Sequence, residues 1–190
     1  MNKQQATDLL HEKIKNENLR RHCYAVSAVM GALAERLGQS EDKEKWEIAG
    51  LIHDVDYEEV KDTAATDHTK VAAKWLEELE AHAEIKDAVA RHAWKFVEGA
   101  PEPKTQMDWA LYTCDELTGF IVAVALVKPE RKLSAVTLDS VTKKWKQKTF
   151  AAGVHREQIE MCDEMLGIPL EEFIEIAIVA MQTISTKLEL

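Results

Sequence analysis

Residues 49–59 read AGLIHDVDYEE, an apolar run that ends in a histidine and an aspartate side by side. Upstream, Trp46, Ile48, Ala49, Leu51 and Ile52 recur at helical spacing, and VDYEEVKDTAA then breaks the period. His53 and Asp54 therefore fall in the last turn of a helix beginning near Glu41. Consecutive helical residues point about 100° apart. Two such side chains converge on one centre most easily at a helix end, where the backbone bends. Two readings stand open: polar residues closing a buried helix, as helix ends commonly collect them, or two ligands of a metal ion.

Outward from this stretch the same period recurs. A helix over 4–15 turns Leu9, Leu10 and Ile14 inward, and a second over 18–37 carries Leu19, Cys23, Val26, Met30, Leu33 and Leu37 up to a stop at Gly38. After the His-Asp pair, a capping residue within 62–67 opens a helix with Val71, Ala72, Trp75, Leu76 and Leu79 on its buried face. A further helix over 84–96 places His92 on its inward side. The loop VEGAPEPKT precedes QMDWALYTCDELTGFIVAVALV over 106–127, apolar on more than one face and so central. Ser140 caps a short basic helix, VTKKWKQKTF, and helices over 155–166 and 170–188 follow, with Pro169 in the first position of the last. The predicted fold is all-α, one domain over 1–190, with core motifs in 18–127 and a helical extension over 128–190.

A chain of 190 residues supports one sizeable core. Its net charge of −10 argues against wrapping polymeric nucleic acid or lying on an anionic membrane, both of which need basic surface. The opening MNKQQATDLLHEKIKNENLRR lacks an apolar signal region. The uncharged run Leu117–Val127 is shorter than the roughly 20 residues a bilayer span needs. A soluble cytoplasmic protein is expected. Cys23, Cys114 and Cys162 lie far apart in apolar helical patterns, which suits reduced core thiols.

Asp115 is the second informative residue. In the most apolar helix, beside Cys114 and Leu117, a carboxylate must be paired, protonated or bound to a cation. The partners on offer are His22, the His53–Asp54 pair, His68 and His92. A solitary inward histidine is more often a hydrogen-bonded core residue than a ligand. Imidazoles with carboxylates suit Fe, Mn, Zn or Mg, and histidines weigh against magnesium as the sole ion.

The order His22, His53 with Asp54, then Asp115 resembles the HD superfamily of metal-dependent phosphohydrolases. LRRHCYAVSAVMGALAERLG resembles the family's first-histidine helix, AGLIHDVDYE its His-Asp motif and TCDELTGF its final aspartate helix. The resemblance implies an HD-domain-like helical bundle in which His22, His53, Asp54 and Asp115 hold one ion. His68 and His92 match the positions that two-metal members add, which implies a second ion with Asp54 bridging. Catalysis is then expected at Asp54, His53 and His92. Many two-metal members follow the pair with a glycine and a nearby lysine. This chain has Asp56 and Glu58 there, a change expected in the electrostatics facing the substrate.

The implied activity is hydrolysis of a small phosphorylated substrate, a nucleotide or phosphate monoester, by metal-activated water. Basic residues over 128–156, foremost Lys144 and Lys148 on one side of a helix starting at Val141, are candidates to receive phosphate oxygens. So are Arg21, Arg91 and Lys95, each near a proposed ligand in sequence. The alternatives are a di-iron enzyme of oxygen chemistry and an inactive binding or scaffold protein. A homodimer is a further expectation.

Overall fold

Asn2 and Gln5 form a reciprocal cap, each side chain bonded to the other's backbone N–H, and start α1 (Lys3–Lys13). Asn16 caps α2 (Glu17–Arg36), whose run ends in Gly38 at φ 74, a left-handed position that glycine takes without strain. The computed structural model describes residues 1–190. Its further helices are α3 (Lys43–Ile52), the one-turn α4 (Tyr57–Val60) and α5 (Ala64–Asp67), α6 (Lys70–Glu78) and α7 (Ala83–His92). α8 (Gln106–Val127), α9 (Leu138–Trp145), α10 (Arg156–Leu166), α11 (Leu170–Thr183) and α12 (Ser185–Leu188) complete an all-α bundle with no strand.

α2 packs closely against α3. Gly50 makes it so: a methyl group there would stand 2.9 Å from the backbone of Ser27. Ser27 in turn donates its hydroxyl to the Glu47 carbonyl at 2.8 Å, tying the two helices together. This contact lies next to His22 on α2 and His53 after α3 along the same helix pair, and so sets how closely the segments carrying them approach.

α8 packs against α2, α7 and α10. Apolar on more than one face, it is buried by these partners over most of its length, while Gly119, Leu126 and Val127 stay exposed. By length and composition the whole helix reaches what a bilayer span requires, although its uncharged run does not; more than half of its most apolar window is buried in the bundle. One hydrophobic cluster runs from Ala6 to Leu188, so the C-terminal helices share the core of the N-terminal ones. All three cysteines are buried and unpaired, and burial pushes their thiols up.

Several predicted boundaries shift for local reasons. No side chain caps α6; the chain enters it through Thr69 in the left-handed region at φ 68, a strained conformation for a β-branched residue. α7 stops at His92, short of the predicted 96. Thr137, with Ser140 in the third position, forms the box that opens α9, which ends at Trp145 and leaves Lys148 in the following turn. Lys144 and Lys148 therefore do not share a helix face. Pro169 stands just outside α11 as its N-cap, and a break at Ile184 separates α11 from α12.

Candidate metal centre

Six side chains from five parts of the chain meet at the end of α3. α2 brings His22, the turn after α3 brings His53 and Asp54, the turn before α6 brings His68, the end of α7 brings His92 and α8 brings Asp115. His53, His68 and His92 are buried, whereas Asp54, Asp115 and His22 keep a small exposed edge.

Each imidazole is oriented by a bond on its outer nitrogen. His53 donates from Nδ1 to the Gly50 carbonyl at 2.8 Å and His92 from Nδ1 to the Val89 carbonyl at 2.6 Å. A carbonyl only accepts, so Nδ1 holds the proton and Nε2 presents a lone pair. His68 donates from Nδ1 to Asp56 Oδ1 at 2.8 Å. Thr118 gives its one hydroxyl proton to the Asp115 carbonyl at 2.9 Å and accepts from His22 Nδ1 at 3.2 Å.

All four Nε2 atoms then face inward. His22 and His53 bring theirs to 3.2 Å, and so do His68 and His92. Two lone pairs at that distance repel unless positive charge lies between them. Ligands about 2.0–2.1 Å from one ion stand roughly 3.0–3.4 Å apart, so both separations fit a shared cation.

The carboxylates complete two sets. Asp115 Oδ1 lies 2.9 Å from His22 Nε2 and 3.5 Å from His53 Nε2. Asp54 Oδ2 lies 3.6 Å from His53 Nε2 and 3.8 Å from His22 Nε2. The other oxygen of Asp54, Oδ1, faces His68 Nε2 at 3.3 Å and His92 Nε2 at 3.5 Å. This donor set fits divalent cations of the Fe, Mn or Zn kind.

Without a cation the cluster draws protons. Burial opposes charge on His53, yet the Asp54 and Asp115 carboxylates outweigh it and raise its pKa to about 9. Burial likewise opposes charge on His68, and Asp54 and Asp56 raise it to about 9. Burial dominates at His92 and lowers its pKa. The surrounding imidazoles overcome burial at Asp54 and Asp115 and hold both carboxyls well below the usual carboxylate range.

A cavity of about 440 Å³ opens onto the cluster, with Asp54, His68, His92 and Asp115 in its wall. Leu19, Tyr57, Phe96, Glu116 and Gln158 are among its other lining residues. None of the basic candidates lines it. Arg91 is drawn off by buried Asp108 at 2.7 Å and by Asp87 at 3.2 Å. Lys95 lies over the Trp94 ring, Lys144 over the Phe150 ring, and Lys148 follows the end of α9. Arg21 pairs with Glu17 and Glu189 beside a separate cavity of about 380 Å³ that also touches His22. Arg156 donates to the carbonyls of Trp145, Gln147 and Phe150 and so braces the turn after α9. A groove of about 820 Å³ lined by α1, α2, α3 and α11 includes none of the six.

Asp56 does not face the cavity. It is fully buried behind His68, and its second oxygen accepts from the Ala72 N–H at 2.8 Å. Glu58 accepts from the N–H groups of Lys15 and Asn16 at the entry to α2. The expected change in substrate-facing charge is instead one buried orienting carboxylate and one loop clasp. Tyr57, Phe96, Glu116 and Gln158 carry no sequence signal as cavity residues.

No curated protein and no solved structure matches the chain. The family model described as HD domain matches residues 19–125, a stretch that contains all six converging side chains and more than half of the chain. The ordered His, His-Asp and Asp positions, their convergence in an all-helical bundle and this match together place the chain in the HD domain family.

Proposed function

We propose that this chain hydrolyses small phosphate monoesters at a two-metal centre bridged by Asp54. One observation carries the reading: the two oxygens of Asp54 face different imidazole pairs, Oδ2 toward His22 and His53, Oδ1 toward His68 and His92. His22, His53, Asp54 and Asp115 would hold one ion, and Asp54, His68 and His92 the other. Divalent cations supply there an acidified water and neutralisation of charge on phosphoryl oxygens.

The protein's own part is positional. Nδ1 bonds to Gly50, Val89, Asp56 and Thr118 fix each neutral tautomer and aim every Nε2 at the centre, where a cation takes the place of its proton. Two divalent cations would offset the charges of Asp54 and Asp115 and give a phosphate a positive centre to meet, although no Lys or Arg lines the cavity. A cavity of about 440 Å³ suits a small ester rather than a polymer.

Anaerobic purification with elemental analysis, followed by assay against phosphorylated metabolites, tests the reading. Close to two metals per chain and phosphate release are expected. Asp54→Asn should abolish phosphate release and lower the bound metal while the helical circular dichroism persists. Unchanged turnover in that variant would remove the centre from the mechanism, and bound iron with oxygen consumption would move the chain to oxygen chemistry.

A further inference from the structure

Gln158, from α10, is 3% exposed and lines the cavity. Its Nε2 donates to the Tyr112 carbonyl of α8. Because that carbonyl only accepts, the amide cannot be turned round, and Oε1 is the atom left over. Oε1 is buried and has no partner. A buried acceptor without a donor is costly, and such an atom is rare enough to need an explanation.

Its neighbours in the cavity share its polarity. Glu116 accepts the backbone N–H of His155 on one oxygen and its Nδ1–H on the other, both at 3.1 Å, which leaves further lone pairs on each. Phe96, 42% exposed, packs its ring 4.7 Å from that of His155. Beyond the metal-facing groups the cavity thus offers two acceptor side chains, the Tyr57 hydroxyl and apolar faces, with no Lys or Arg.

We propose that Gln158 and Glu116 determine specificity by accepting hydrogen bonds from hydroxyl or amino groups on the alcohol portion of the ester. The preferred substrate is a phosphate monoester whose leaving group is rich in donors and carries no second anion. The proposal rests on the phosphate-ester reading only for placing the phosphate at Asp54. Gln158 and His155 both lie beyond the stretch matched to the HD domain.

Hexitol 6-phosphonate and n-hexyl phosphonate provide the test, because they share chain length and their C–P bonds resist hydrolysis. Affinities for the metal-loaded full chain are measured by ligand-observed NMR, and kcat/KM for the corresponding phosphates is measured in parallel. The hexitol compound should bind about tenfold tighter or more, and Gln158→Met should narrow that ratio by about tenfold, the scale of one buried hydrogen bond. Equal affinities in the wild type, or equal weakening of both ligands by the substitution, overturn the proposal. Should Gln158→Met fail to fold, a crystal structure of the wild type with the hexitol phosphonate decides. A ligand hydroxyl on Oε1 supports the assignment, and an ordered water there in the complex overturns it. Donor preference in binding without turnover of any ester would sink the hydrolase reading and leave this one standing; turnover without preference would do the reverse.

Discussion

Asp56 shows how much a single buried carboxylate does for this centre. It holds the proton of His68 on Nδ1 and takes the N–H of Ala72 with its other oxygen, so one side chain fixes both the ring and the first turn of α6. Removing a partner of this kind costs about 10- to 100-fold in metal affinity. Asp56→Ala should therefore lose the ion at His68 and His92 first, and elemental analysis after mild chelation should fall toward one metal per chain; a retained pair would show that His68 needs no such support. The six converging side chains were legible as a set, because His53 and Asp54 are adjacent and the other four stand around them in a recognisable order. Asp56 was visible but its direction was not: two residues after Asp54, the chain has already turned, and the carboxylate points behind the site instead of into it.

At the scale of elements, the separation of α2 from α3 sets the spacing of His22 and His53. Gly50→Ala would drive a methyl group to 2.9 Å from the Ser27 backbone, which cannot move without shifting α2. A cost of about 1–3 kcal/mol is expected, together with weaker metal binding because the 3.2 Å gap between the two Nε2 atoms widens. Thermal unfolding and metal titration of one preparation check both; a stable variant with intact affinity would mean that the helices adjust without the site noticing. Helix identity was readable from the apolar period, most plainly for α8. The ends were not, since α6 begins at a left-handed Thr69 and α7 stops before Lys95, itself at φ 70. Tertiary demands at the site bend the backbone there, and periodicity carries no signal of such bends.

For the molecule as a whole, cations and protons compete for one cluster. His53 and His68, raised from 6.5 to about 9, add stability to the metal-free fold that is complete below pH 6.5 and lost as pH rises through about 9. His92, lowered by burial, acts in the opposite sense and costs stability when the solution is acid. Asp54 and Asp115, lowered, contribute above the ordinary carboxylate range and lose that contribution as pH falls below it. The rise in melting temperature on adding Mn or Zn should therefore grow between pH 6.5 and 9; scans with and without chelator across that range check it, and a constant rise would detach the imidazoles from ion binding. The all-helical bundle was evident from sequence. What was not evident is that α10, an amphipathic helix with no metal-like residue spacing, supplies a cavity wall, because a lone glutamine facing a carbonyl on another helix leaves no pattern along the chain.

One wall residue, Gln158, thus comes from a different stretch of the chain than the six converging side chains. On the proposed reading, exchanging Gln158 would retune selectivity while leaving the six converging side chains in place. Inheritance of reaction and inheritance of substrate are therefore separable here, and two chains with identical metal ligands need not act on the same metabolite.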